Sequence, residues 1–174
     1  MVSVPESSEY ASYFGRYISQ VQSSELFAAL TAEMERTQRL LAPLTDTQAL
    51  YRYAEGKWSI KQVIGHLIDA ERIFAYRALR YARRDATELH SFDENSYVEN
   101  AHFDSIKLPD LVAEFCTVRR ANILFFRQLT TEEWDASGVA NGNRMTVRAL
   151  AWTIVGHEVH HRRILEDRYL PGME

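Results

Sequence analysis

The sequence predicts an all-α protein, a four-helix bundle with long crossover connections. Three observations predict it. Four stretches place apolar residues three and four apart, the spacing of one helix face. Seven glycines and four prolines in 174 residues leave few breaks, so the helices can run long. Period-two alternation, the mark of a half-buried strand, is scarce. A chain of this length suits one domain, residues 1–174, with a full hydrophobic core.

Residues 1–22 read as an irregular N-terminal wrap, with Tyr10, Tyr13, Phe14, Tyr17, Ile18 and Val21 available for packing. The first long helix is expected from about Ser24 to Leu41, on Leu26, Phe27, Leu30, Met34, Leu40 and Leu41, with Pro43 ending it. Residues 44–58 read as a turn and an extended connection. The second helix starts at Gly56-Lys57-Trp58-Ser59, where Ser59 and Gln62 form an S-x-x-Q capping box, and runs to about Arg84. Its apolar face carries Ile60, Val63, Ile64, Leu67, Phe74, Ala78 and Tyr81. Arg72, Arg77, Arg80, Arg83 and Arg84 crowd its C-terminal half. There they complement the helix dipole as a solvated face, or else form an anion-binding rim.

Residues 85–107 form a long connection with a short helical turn after Phe92-Asp93-Glu94-Asn95, and a connection this long often serves as a lid or pocket wall. His90 and His102 fall in it and read as loop histidines. The third helix spans about Pro109 to Leu129, with proline in its first turn. Thr131 to Trp134 reads as a capped turn and Gly138 to Asn143 as a polar loop. Thr146 caps the fourth helix, which continues to about Tyr169.

Composition excludes several classes. Hydrophobic and charged fractions of 46% and 25% are those of an ordinary globular protein. A net charge of −4 and a pI near 5.9 argue against nucleic-acid binding, which needs a basic surface. No run approaches the ~18 apolar residues of a membrane helix, and no signal peptide is recognisable, so the cytoplasm is the expected location. A single cysteine rules out an internal disulfide, and Cys116 reads as a small buried hydrophobe.

The chemistry concentrates in Gly156-His157-Glu158-Val159-His160-His161, which holds half of the six histidines. His157 and His161 stand one turn apart on the helix face shared with Leu150, Ile154, Ile164 and Leu165, and can reach one ion together. His160 lies about 100° round the helix and is less well placed. Residues 157–161 also spell H-E-x-x-H, with Glu158 as the would-be base. A zincin needs a further ligand after the motif, however, and no histidine follows His161. Glu158 is expected on the helix surface. In a bundle, His66 of the second helix would face the pair if those helices are neighbours. Glu71 projects from the apolar face of that helix. It could orient a ligand histidine or accept a proton, or it could form a buried pair with an arginine such as Arg148 or Arg168.

Three segments together resemble the DinB-like/YfiT-like superfamily of four-helix metalloproteins, which is unrelated to the polymerase sharing the DinB name. They are the G-K-W-S start with His66 in the helix that follows, Phe92 to Asn95, and Gly156-His157 with His161. The resemblance covers about residues 24–170. It implies a divalent metal, zinc or nickel, held by His66, His157 and His161, and a homodimer. It also implies a small-molecule substrate and either thiol S-transferase chemistry with a low-molecular-weight thiol or metal-dependent hydrolysis. The competing expectation is a non-enzymatic interaction or stress protein with packed histidines or a structural metal site.

Overall fold

The computed structural model describes residues 2–173. Four long helices make the frame: α2 (Leu26–Leu41), α3 (Ile60–Ala82), α5 (Leu108–Arg127) and α7 (Val147–Ile164). The shorter elements are α1 (Ser12–Ile18), α4 (Glu94–Asn100), α6 (Thr131–Trp134) and a hairpin of β1 (Ser137–Ala140) with β2 (Asn143–Thr146). Helix α3 packs along both α5 and α7, α2 packs on α5 and α7, and α1 lies across α7. Among the described residues, no helix is long and apolar enough to cross a membrane.

The helix starts follow from their caps. The Ser59 hydroxyl accepts from the Gln62 N–H while the Gln62 side chain accepts from the Ser59 N–H, so the expected capping box is formed. Asp93 caps α4 and Thr146 caps α7, where its hydroxyl accepts from the Ala149 N–H at 3.0 Å. Beyond Ile164 the chain widens into a π-helical turn, Leu165–Tyr169, before it ends the bundle.

Three expectations change. The N-terminal wrap contains a helix, α1, and it is fastened: the Trp152 indole donates to the Ser3 carbonyl at 2.9 Å, and Arg148 pairs with Glu9 at 3.0 Å. Residues 138–143 are part of a β-hairpin. Its two-residue turn is Asn141-Gly142, with φ of 50° and 69°, the positive values that a type I′ turn demands. Of the arginine run, Arg72, Arg80 and Arg83 pair with carboxylates as a solvated face should, but Arg77 is buried.

The core has two apolar parts. One gathers Phe74, Tyr81, Phe126, Trp134, Leu150 and Trp152, and the other Ile64, Leu67, Leu111, Phe115, Leu165 and Tyr169. On α3, α5 and α7 the junction between the two is occupied by Glu71, Arg119 and Glu158, all buried.

Candidate metal centre

Helices α3 and α7 bring His66, His157 and His161 together at the floor of a cavity of about 490 Å³. The Nε2 atoms of His66 and His161 each lie 3.1 Å from Nε2 of His157, and one nitrogen from each ring falls within 4.8 Å of the others. Two nitrogens bound ~2.0–2.1 Å from one tetrahedral ion would sit about 3.3 Å apart, so the spacing fits. An imidazole nitrogen has one lone pair or one proton in the ring plane. His157 Nε2 can therefore share a proton with one neighbour but not with both, whereas a cation can satisfy all three lone pairs.

The rings are held neutral, as ligands must be. Burial pushes His66 down to about 4. Burial also lowers His157 and His161 well below the ordinary histidine value, and the charge that neighbouring imidazoles would carry lowers them further. Trp58 lies against His66 with ring centroids 4.8 Å apart, and Tyr17 meets His157 edge-on at 5.2 Å. Tyr17 comes that close because position 156 is glycine. A Cβ there would stand 2.1 Å from the Tyr17 carbonyl oxygen, so only glycine lets α1 settle on α7. Tyr13, Phe14, Phe74 and Phe92 complete an aromatic wall, and Asn141 and Asn143 of the hairpin close one side.

His160 lines the cavity but stands outside the converging group, with Nδ1 3.3 Å from the Gln20 amide nitrogen. His90 and His102 are exposed and stand outside the converging group. Cys116 is buried and burial raises its pKa, so it stays a thiol.

The two carboxylates behave differently from expectation. Glu158 is turned from the triad but is not on the surface: it is 1% exposed, accepting from the Thr37 hydroxyl at 2.7 Å and from Arg119 at 2.6 Å. Glu71 does pair with an arginine, but the partner is Arg119 of α5 rather than Arg148 or Arg168. The two hold a bidentate contact of 2.8 and 2.9 Å, with Asn122 adding 3.1 Å. Arg148 goes to Glu9 and Asp135 instead. Arg119 was invisible in the sequence because a charge on an amphipathic helix reads as solvent-facing. Only Glu71, a carboxylate at an apolar-face position, hinted that a buried cation must exist.

Solved structures share the fold. YfiT from Bacillus subtilis, described as a probable metal-dependent hydrolase with an unusual four-helix bundle topology, aligns with a TM-score of 0.67 and 18% identity, covering 90% of this chain and 86% of its own. A DinB-like protein of Bacillus subtilis, YjoA, aligns at 0.59 and 21% identity, covering 81% and 86%. A mycothiol-dependent maleylpyruvate isomerase aligns at 0.65 and 11% identity over 79% of this chain, but this covers only 58% of that one. No curated protein sequence matches. The family model described as the DinB superfamily matches residues 29–165, the span from the first long helix through the histidine-bearing one, and the chain belongs to that superfamily.

Proposed function

We propose that the chain is a metal-dependent enzyme acting on a small molecule, with His66, His157 and His161 as the ligands of zinc or nickel and with thiol S-transfer as its chemistry. The observation that carries the reading is the convergence of three neutral Nε2 atoms on an open cavity with no fourth protein ligand among the described residues. A structural site closes with four ligands, whereas a catalytic one keeps a position free. When bound, the ion would supply Lewis acidity that brings a thiol or water nearer to ionising at neutral pH.

The residues then divide the work. The aromatic wall excludes bulk water and holds the substrate's apolar part. Arg119 ties Glu71 on α3 to Glu158 on α7, so this network positions the two helices that carry the ligands. The thiol sulfur would attack an electrophilic carbon, forming a C–S bond as the leaving group departs with its electron pair; the thiol proton leaves through the cavity mouth. Hydrolysis is the second reading, supported by the name given to YfiT. Thiol transfer is preferred because both buried carboxylates near the triad are spent on Arg119, and the one carboxylate of the cavity lining, Glu94, is exposed to solvent. The reading includes a homodimer in the cytoplasm.

Elemental analysis of the purified protein beside His66→Ala tests the metal. About one ion per chain, lost in the variant, is expected, and no metal in either after reconstitution would sink the enzyme reading. Thiol conjugation and ester hydrolysis assays on the metal-loaded protein then decide between the two chemistries.

A further inference from the structure

We propose that Arg77 anchors a carboxylate of the substrate, so that the cavity takes a small molecule with an apolar body and one negative charge at the end away from the histidines. The inference rests on the proposed site and names the class of molecule that enters it. His66, Ala70, Phe74 and Arg77 all line the cavity, and their spacing of four, four and three residues makes them one stripe along α3. At 1.5 Å per residue the stripe is about 16 Å long from His66 to Arg77. A reactive end at the triad and a charge-binding end at Arg77 thus face the same space.

Arg77 is unlike the other arginines near it. It is 8% exposed, yet no carboxylate pairs with it among the described residues. Arg72 has Glu114 at 2.7 Å, Arg80 has Asp85, and Arg83 has Glu133 at 2.5 Å. Arg119, the other buried arginine near the site, has two carboxylates. Arg77 makes one hydrogen bond, from Nη2 to the His90 carbonyl at 3.0 Å. A guanidinium has five N–H donors, and a buried cation without a counter-charge is costly. The unused donors are not sealed in protein: the sole fully buried side-chain nitrogen or oxygen without a partner among the described residues is Nε of Arg162. They open instead onto accessible space, where a carboxylate could take two of them side by side. Glu94, the other formally charged residue of the lining, is exposed. One inner positive charge matches a carboxylate better than a phosphate dianion, and Glu94 disfavours further negative charge near the rim.

The test uses the full chain, zinc-loaded and EDTA-treated, with hydrocinnamate, its neutral amide and inorganic phosphate as probes. In the wild type, hydrocinnamate should shift the Nε–Hε resonance of Arg77 and the indole resonance of Trp58. The first reports the anchor and the second places the ligand in the cavity, since Trp58 is absent from the outer cleft that Arg77 also borders. Arg77→Met should weaken hydrocinnamate about tenfold or more, with Arg77→Lys between the two and the amide indifferent. Binding that persists after EDTA supports Arg77 as the anchor even if zinc is never taken up, a result that would remove the metal reading alone. The proposal is overturned by equal hydrocinnamate affinity in wild type and Arg77→Met, by loss of binding on EDTA treatment alone, by a shift of Arg77 without Trp58, by phosphate binding as tightly, or by no Arg77 shift at tens of millimolar probe. The wild-type resonances decide the matter should Arg77→Met fail to fold.

Discussion

Residues 157 and 158 are neighbours in the chain and belong to opposite kinds of buried polar cluster. His157 joins His66 and His161, three neutral rings whose nitrogens converge beside a cavity. Glu158 joins Arg119, Glu71 and Thr37, a network whose hydrogen bonds close within the protein; two carboxylates share one guanidinium there, and burial raises Glu158 towards its neutral form. A satisfied cluster has no free valence to offer a ligand and can only hold the fold. A cluster whose lone pairs point at one another is tolerable only if something else comes to occupy the point between them. The contrast separates structure from candidate function more sharply than burial does, since both clusters are buried.

The contrast can be broken at its structural side with the largest effect. Arg119→Met would leave two carboxylates facing each other in the core at a cost of about 3–5 kcal/mol. Thermal unfolding should show a large fall in Tm, or no folded protein. Adding Glu71→Gln and Glu158→Gln should recover part of the loss; an Arg119→Met protein as stable as wild type would mean that the network contributes nothing. His157→Ala should cost less, about 1–2 kcal/mol, because the ring already borders a cavity and has no charge partner to strand. It should instead take bound metal from about one per chain to none with the helical circular dichroism kept. Retained metal would refute the ligand set.

His160→Ala sharpens the line between the triad and its neighbour: metal stoichiometry should not change, and loss of the ion would show that the wrong histidine had been left out. The smallest effect concerns a partly covered ion pair. Burial alone would raise Glu9, but hydrogen bonds from the Glu6 backbone, Thr146 and Arg148 hold its carboxyl below the ordinary value of 4.5. With the folded pKa below the unfolded one, the stabilisation is complete above about pH 4.5 and is lost as pH falls through the folded value. Limited proteolysis of the N-terminal segment should therefore quicken in acid before the helical signal changes. Cleavage independent of pH would show that Glu9 does not fasten it.

Much of this was legible in residue order. The four long helices, the Ser59 capping box and the Thr146 cap follow from local chemistry, which a sequence displays directly. The i, i+4 spacing of His157 and His161 likewise fixes a shared face before any fold is known. Two kinds of feature were hidden. The Asn141-Gly142 turn carries a hairpin signal, but the flanking strands are only four residues each and one carries Arg144 and Asn143, too polar to announce themselves. The network around Arg119 joins residues 39 and 48 positions apart, and a pairing at that range has no local signature.

The cavity's floor and its walls come from different parts of the architecture. The histidines ride on two long helices clamped through Arg119, while Tyr13, Tyr17, Phe92, Glu94 and Asn141 come from short pieces laid over them. The close seat of α1 on α7 depends on the missing side chain of Gly156. On the proposed reading, the part of the wall built from short pieces is therefore adjustable apart from the ion site: those pieces can be recut to admit a different molecule without loosening the three nitrogens beneath, while Arg77 and Phe74 stay with α3. For anyone redesigning this protein, the lid is the place to begin, and the floor can be left alone.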